Sequence, residues 1–142
     1  MINRRLVLLL VGALAAASGS LFACSKGADT TSPQSSLPPA TRGSIDQVVS
    51  VYEAIREALA DDRSDVTAQA ESLADAARKG ATTAPDALRS LLQDLSSAAD
   101  RLARVQPGDL EAARAAFGGL SRALIAVLSK DPSLQSGRYV YE

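Results

Sequence analysis

The chain is predicted to fold as an all-α protein, an antiparallel up-down four-helix bundle that follows a signal peptide and a disordered linker. Three observations predict this. Alanine and leucine are abundant while β-branched residues are sparse, which favours helix over strand. Apolar residues recur at three- and four-residue spacing in four separate stretches. The joints between those stretches are short and carry Gly, Pro, Asp and Ser, and short joints make sequential helices antiparallel neighbours.

The domain organisation is read as 1–23 signal peptide, 24–43 linker, 44–131 helical domain and 132–142 extended tail. The first helix is expected from Ser44, where Ser44 and Gln47 form a capping-box pattern. Ile45, Val48, Val49, Tyr52, Ile55 and Leu59 make its stripe, and Asp61-Asp62-Arg63-Ser64 a polar joint. The second helix is expected over about Ser64 to Lys79, with a thin stripe of Val66, Ala70, Leu73 and Ala77. Lys79 suits a C-terminal turn, and Gly80 can take the left-handed position that ends a helix.

Thr83 with Asp86 is expected to cap the third helix, and Pro85 fits its first turn. Leu88, Leu91, Leu92, Leu95, Ala99, Leu102 and Val105 form the strongest stripe so far, and Asp100 and Arg104 are spaced to pair on the outer face. Pro107-Gly108 stops it. Asp109 is a good N-cap for the fourth helix, Glu111 suits its first turn and Lys130 its last. Its stripe is Leu110, Ala113, Phe117, Leu120, Leu124, Val127 and Leu128. Gly118 and Gly119 lie mid-helix and each costs about 1 kcal/mol against alanine. A close crossing with the alanine face of the second helix, or a functional hinge, would offset that. Asp131-Pro132 ends the helix.

The residues before the bundle carry the strongest functional signal. Arg4 and Arg5 precede an apolar run from Leu6 to Ala17, interrupted only by Gly12, and Ser18-Gly19-Ser20 follows. This is the order of a secretory signal, and the run is shorter than the ~20 residues a bilayer-spanning helix needs. Leu21-Phe22-Ala23-Cys24 then contains the only cysteine. With Leu21 three before, Ala23 one before and then Cys24, the segment resembles a bacterial lipobox, although Phe22 is bulkier than the usual small residue. The resemblance implies cleavage after Ala23, a diacylglyceryl group on the Cys24 sulfur, palmitate among the acyl chains, and attachment to a bacterial membrane. Ser25 follows the cysteine, which by the sorting rule of enteric-type bacteria implies the outer membrane, facing the periplasm. The other reading of the same residues is an ordinary signal peptide, or an uncleaved anchor, with a chance cysteine.

The linker reads SKGADTTSPQSSLPPATRG over 25–43, too rich in Ser, Thr, Pro and Gly to bury apolar surface. Removing Arg4 and Arg5 from 15 basic residues leaves 13 against 16 acidic ones, so no basic footprint for nucleic acid exists. Histidine is absent, which removes the commonest general base and metal ligand. With the one cysteine acylated, nucleophilic catalysis is confined to Ser/Lys types. Ser129 and Lys130 are adjacent and would point apart on a helix, and Ser25-Lys26 lies in the linker. No catalytic residue, cofactor or metal site is therefore expected. Asp61, Asp62 and Asp65 offer hard oxygen ligands for a divalent cation, though such clusters are usually solvated helix joints.

Val51 to Leu59 (VYEAIREAL) with Asp61-Asp62, then Ala115-Ala116-Phe117, Leu120-Ser121, Leu124-Ile125 and Tyr139-Val140-Tyr141, resemble a small periplasmic helical domain of unknown function. Such domains occur on lipoproteins and appended to the membrane-fusion adaptors of Cus-type copper and silver efflux pumps. The resemblance covers about Asp46 to Glu142 and implies a soft-metal segment beyond the aromatic tail. This chain has no second Cys and no Met beyond Met1, so those ligands transfer to no residue here. Either the chain continues in a longer protein or this member lacks the site. The expected function is a membrane-anchored, non-catalytic helical interaction module whose partner is an envelope or efflux-adaptor protein. The alternative is an accessory of heavy-metal efflux or periplasmic metal handling.

Overall fold

The computed structural model describes residues 37–135, and these form an all-α four-helix bundle. Four helices, α1 (Pro39–Ala60), α2 (Thr67–Thr83), α3 (Asp86–Ala103) and α4 (Leu110–Leu128), are followed by a 3₁₀ turn, Pro132–Leu134. Each predicted stripe turns inward. Ile45, Val48, Tyr52, Ile55 and Leu59 of α1 meet Ala70, Leu73 and Ala77 of α2, Leu88, Leu92, Leu95, Ala99 and Leu102 of α3, and Leu120, Leu124, Val127 and Leu128 of α4 in one core. Cross-links fix antiparallel neighbours. Thr41 near the start of α1 bonds Thr83 at the end of α2, and Arg89 early in α3 donates to the Ala81 carbonyl late in α2.

Several expected boundaries need correction. α1 begins at Pro39, not Ser44, so Pro39 to Gly43 belong to the helix and not to a linker. Proline suits the first helical position because its missing N–H has no partner there in any case. Ser44 caps nothing and lies buried inside α1. α2 likewise overruns Lys79 by four residues to Thr83. The two extensions cover each other: the Thr41 and Thr83 hydroxyls share a 2.8 Å hydrogen bond, and Ser44 packs on Gly80. Neither extra turn buries a large apolar side chain by itself, and each becomes favourable because the other is present.

Gly80 is therefore no C-cap. It sits inside the last turn of α2, between α1 and α3: a Cβ placed on it would lie 3.1 Å from the Cβ of Ser44 and 3.4 Å from Cδ1 of Leu92. Thr83 does not cap α3 either, because its hydroxyl is used by Thr41 and the helix starts after Pro85. The end of α2 is closed from α3 instead: Arg89 donates to the Ala81 carbonyl at 3.3 Å and the Ala84 carbonyl at 3.0 Å, and pairs with Asp86 at 2.6 Å. These are carbonyls a helix end leaves without intrahelical donors. Asp109 does cap α4, accepting from the Ala112 amide at 2.9 Å.

Asp100 pairs with Arg78 of α2 at 3.0 Å rather than with Arg104 of its own helix. Arg78 also holds Asp75 at 2.8 Å, and these two carboxylates, Asp75 the more strongly, raise its affinity for its proton. The Pro132–Leu134 segment is not an extended tail. Leu134 is buried, the Ser133 carbonyl accepts from Arg42, and Gln135 donates to the Leu128 carbonyl, so the turn closes the end of the bundle. Tyr139, Val140 and Tyr141, in the rest of the expected extended tail, lie outside the described residues.

The mid-helix glycines of α4 contradict the expected crossing with α2. A Cβ on Gly118 or Gly119 would meet nothing within 4 Å. Gly118→Ala and Gly119→Ala should each raise stability by about 1 kcal/mol through helix propensity alone. Gly80→Leu should lower it by about 1–3 kcal/mol or more, because the added branch must displace Ser44 and Leu92. Urea titration of the three variants tests this ordering. A Gly80→Leu protein as stable as the parent would refute the tight crossing.

Candidate interaction surface

The α1–α4 side of the bundle differs from the others. α1 packs closely on α2, α2 on α3 and α3 on α4, but α1 and α4 approach only along a short front, and large side chains span the gap. Tyr52, 2% exposed, stacks on Phe117 with ring centroids 4.9 Å apart and planes 20° from parallel. Its hydroxyl shares a 3.0 Å hydrogen bond with Ser121, which can also donate to the Phe117 carbonyl. At one end of the front Arg114 donates to the Leu59 carbonyl at 2.8 Å and to Asp62 at 2.6 Å. Asp62 has φ 59°, a left-handed conformation aspartate tolerates better than most residues. At the other end Arg42 holds the Ser133 carbonyl at 3.3 Å.

α4 packs closely on α3 and only narrowly on α1, and it buries only five of its nineteen residues: Ala113, Leu120, Leu124, Val127 and Leu128. Yet Glu111, Arg114 and Arg122 are its only charged residues. Ala116, Phe117 and Ala123 lean on the core while half-exposed. Ala112, Ala115, Ile125 and Ala126 are not among the apolar side chains packed on it. Together with Gly118 and Gly119 they form a contiguous outward face, at the four-and-three spacing 111, 115, 118, 122, 125 and one position further on. Sequence reasoning missed it because a stripe count finds the inward face and assumes the remainder is solvated.

The aspartate joint reads differently in three dimensions. Asp61 pairs with Arg63 at 3.3 Å and Asp62 with Arg114, so two of the three carboxylates already face guanidinium groups. Among the described residues no three His, Cys, Asp or Glu side chains cluster closely enough to hold a metal ion. An open groove of about 250 Å³ lies elsewhere, between the end of α2 and the start of α3, lined by Arg78, Ala81, Thr82, Arg89 and Gln93. Its two arginines are occupied by Asp75, Asp100 and Asp86, so it offers no net positive field to an anion. The Ser129 hydroxyl donates to the Ile125 carbonyl at 2.7 Å and serves the helix end.

Cys24, Leu21 and Ala23, the expected lipidation and cleavage residues, lie outside the described residues. Among the described residues no helix is long and apolar enough to cross a membrane. No protein-family profile, curated protein or solved structure matches the chain.

Proposed function

We propose that this chain is a lipid-anchored protein of a bacterial envelope whose helical body is a non-catalytic interaction module, held at the periplasmic face of the outer membrane. The observation that carries the reading is the order of signals before the bundle: Arg4-Arg5, the apolar run from Leu6 to Ala17, then Leu21-Phe22-Ala23-Cys24. The fold agrees with a tethered body. α1 begins at Pro39, leaving 14 residues between Cys24 and the first helix. Fully extended, these reach about 50 Å, so a partner near the membrane lies within range. A single acyl chain binds membranes only marginally, and the two or three chains of a lipidated cysteine make attachment durable. The outward apolar face of α4 supports the second half of the reading, a body that meets another macromolecule.

Metabolic labelling with radioactive palmitate tests the anchor. The native chain should take up label and partition with membranes, and a Cys24→Ala chain should do neither. Equal labelling of both, or of neither, would remove the basis for the anchor.

A further inference from the structure

We propose that the outward face of α4 is a homodimer interface, on which two copies of this chain pair their fourth helices antiparallel about a two-fold axis. The proposal deepens the interaction-module reading by naming the partner, and rests on that reading. Ala112, Ala115, Gly118, Gly119, Ile125 and Ala126 form an apolar surface on the side of α4 away from the core, Ala115 exposed and the others half-buried. The two glycines carry no side chain and meet nothing within 4 Å, so a second helix can approach the α4 backbone there at the short end of the 8–10 Å range for helix pairs. Nothing inside the bundle accounts for two adjacent mid-helix glycines. A close approach from outside does.

Charge selects the occupant and its direction. Arg114 lies on the Ile125 edge of this face and is paired with Asp62; the face's other charged residues, Glu111 and Arg122, are exposed, and neither has an ion-pair partner among the described residues. They are 11 residues apart, about three turns or 16 Å along the same side of the helix. Placing a second α4 antiparallel, with the axis midway between them, sets each Glu111 opposite the other chain's Arg122 and each Ala115 opposite Gly118. A parallel arrangement would set Glu111 against Glu111 and Arg122 against Arg122, which repel. The face is therefore self-complementary under a two-fold rotation, the requirement for an isologous dimer. A lipid surface would leave the Glu111 carboxylate without a cation.

The test is sedimentation equilibrium of the full chain in density-matched detergent. The native chain should show a two-chain mass that dissociates on dilution. Glu111→Arg and Arg122→Glu should each weaken dimerisation about tenfold or more, and the double variant should recover it, because the pairs re-form with signs exchanged. Gly118→Leu should give a single-chain mass with unchanged helical circular dichroism, which separates loss of the interface from loss of the fold. A single-chain mass at every concentration, or a dimer indifferent to the charge exchanges, overturns the proposal. A monomer whose binding to phosphatidylglycerol vesicles is weakened by Gly118→Leu also overturns it and gives the face to lipid. Palmitate labelling is independent of all these outcomes, so failure of the dimer and failure of the anchor are told apart.

Discussion

A Leu92→Asp chain should lose its cooperative unfolding transition and most of its helical circular dichroism. Leu92 is fully buried in α3, and its Cδ1 lies against Gly80 of α2. Truncating a buried leucine removes about 2–5 kcal/mol. Placing a carboxylate there adds several kcal/mol more, because its neighbours along the stripe are Leu88, Leu95 and Ala99, which offer no hydrogen bond and no positive charge. The sum approaches or exceeds the whole stability of a small domain, about 5–15 kcal/mol. Helices of 17 to 22 residues do not persist alone in water, so losing the core removes the helices with it. Leu92→Ala calibrates the experiment: it should stay folded with a lowered urea midpoint. A soluble Leu92→Asp protein with the parent's melting curve would mean that α3 does not pack as described.

Tyr52→Ala should cost about 3–5 kcal/mol, more than the residue's share of the core would suggest. Tyr52 is the main filling of the wide α1–α4 seam, through its ring on Phe117 and its hydroxyl on Ser121. Tyr52→Phe should cost only about 1 kcal/mol, since Ser121 keeps the Phe117 carbonyl as a partner and the stack survives. Native-state hydrogen exchange distinguishes the two effects. In Tyr52→Ala the amides of α4 should lose protection before those of α2 and α3, because α4 then rests chiefly on α3, with the Arg114 bridge at one end of the front and the Arg42 contact with Ser133 beyond its last turn. Uniform loss across all four helices would show that α4 is no less supported than the rest. The surface ion pairs matter far less. Arg78 and Asp100 keep half and about a third of their side chains in water, where such a pair contributes about 0–1 kcal/mol.

The four helices, their order and their inward faces were legible in the residue pattern because each stripe repeats for about three turns or more. Asp109 could also be placed as a cap, since an aspartate after Pro107-Gly108 and before an apolar run has few other roles. The candidate surface was not legible. Ala112, Ala115 and Ala126 read as helix formers of no particular face, and Ile125 reads as one more apolar residue beside Leu124. Only the narrow contact of α4 with α1 leaves them outside.

Gly80, Gly118 and Gly119 divide what sequence and tertiary structure each decide. All lie in helical stretches, and local propensity counts each as the same loss. Gly80 is surrounded on two sides and Gly118 and Gly119 on none, a difference set by residues 36 positions before Gly80 and 12 after it, Ser44 and Leu92. The helix ends follow the same division. Pro39 to Gly43 and Gly80 to Thr83 become helical because each lies on the other, a pairing between chain segments some 40 residues apart. The sequence by itself determined the all-α class, the helix order and the buried stripes, because those depend on the periodicity of neighbours a few residues apart. Tertiary structure alone decided where the helices stop, which glycine is crowded and which helix keeps an apolar face outward, because those depend on side chains brought together from distant segments.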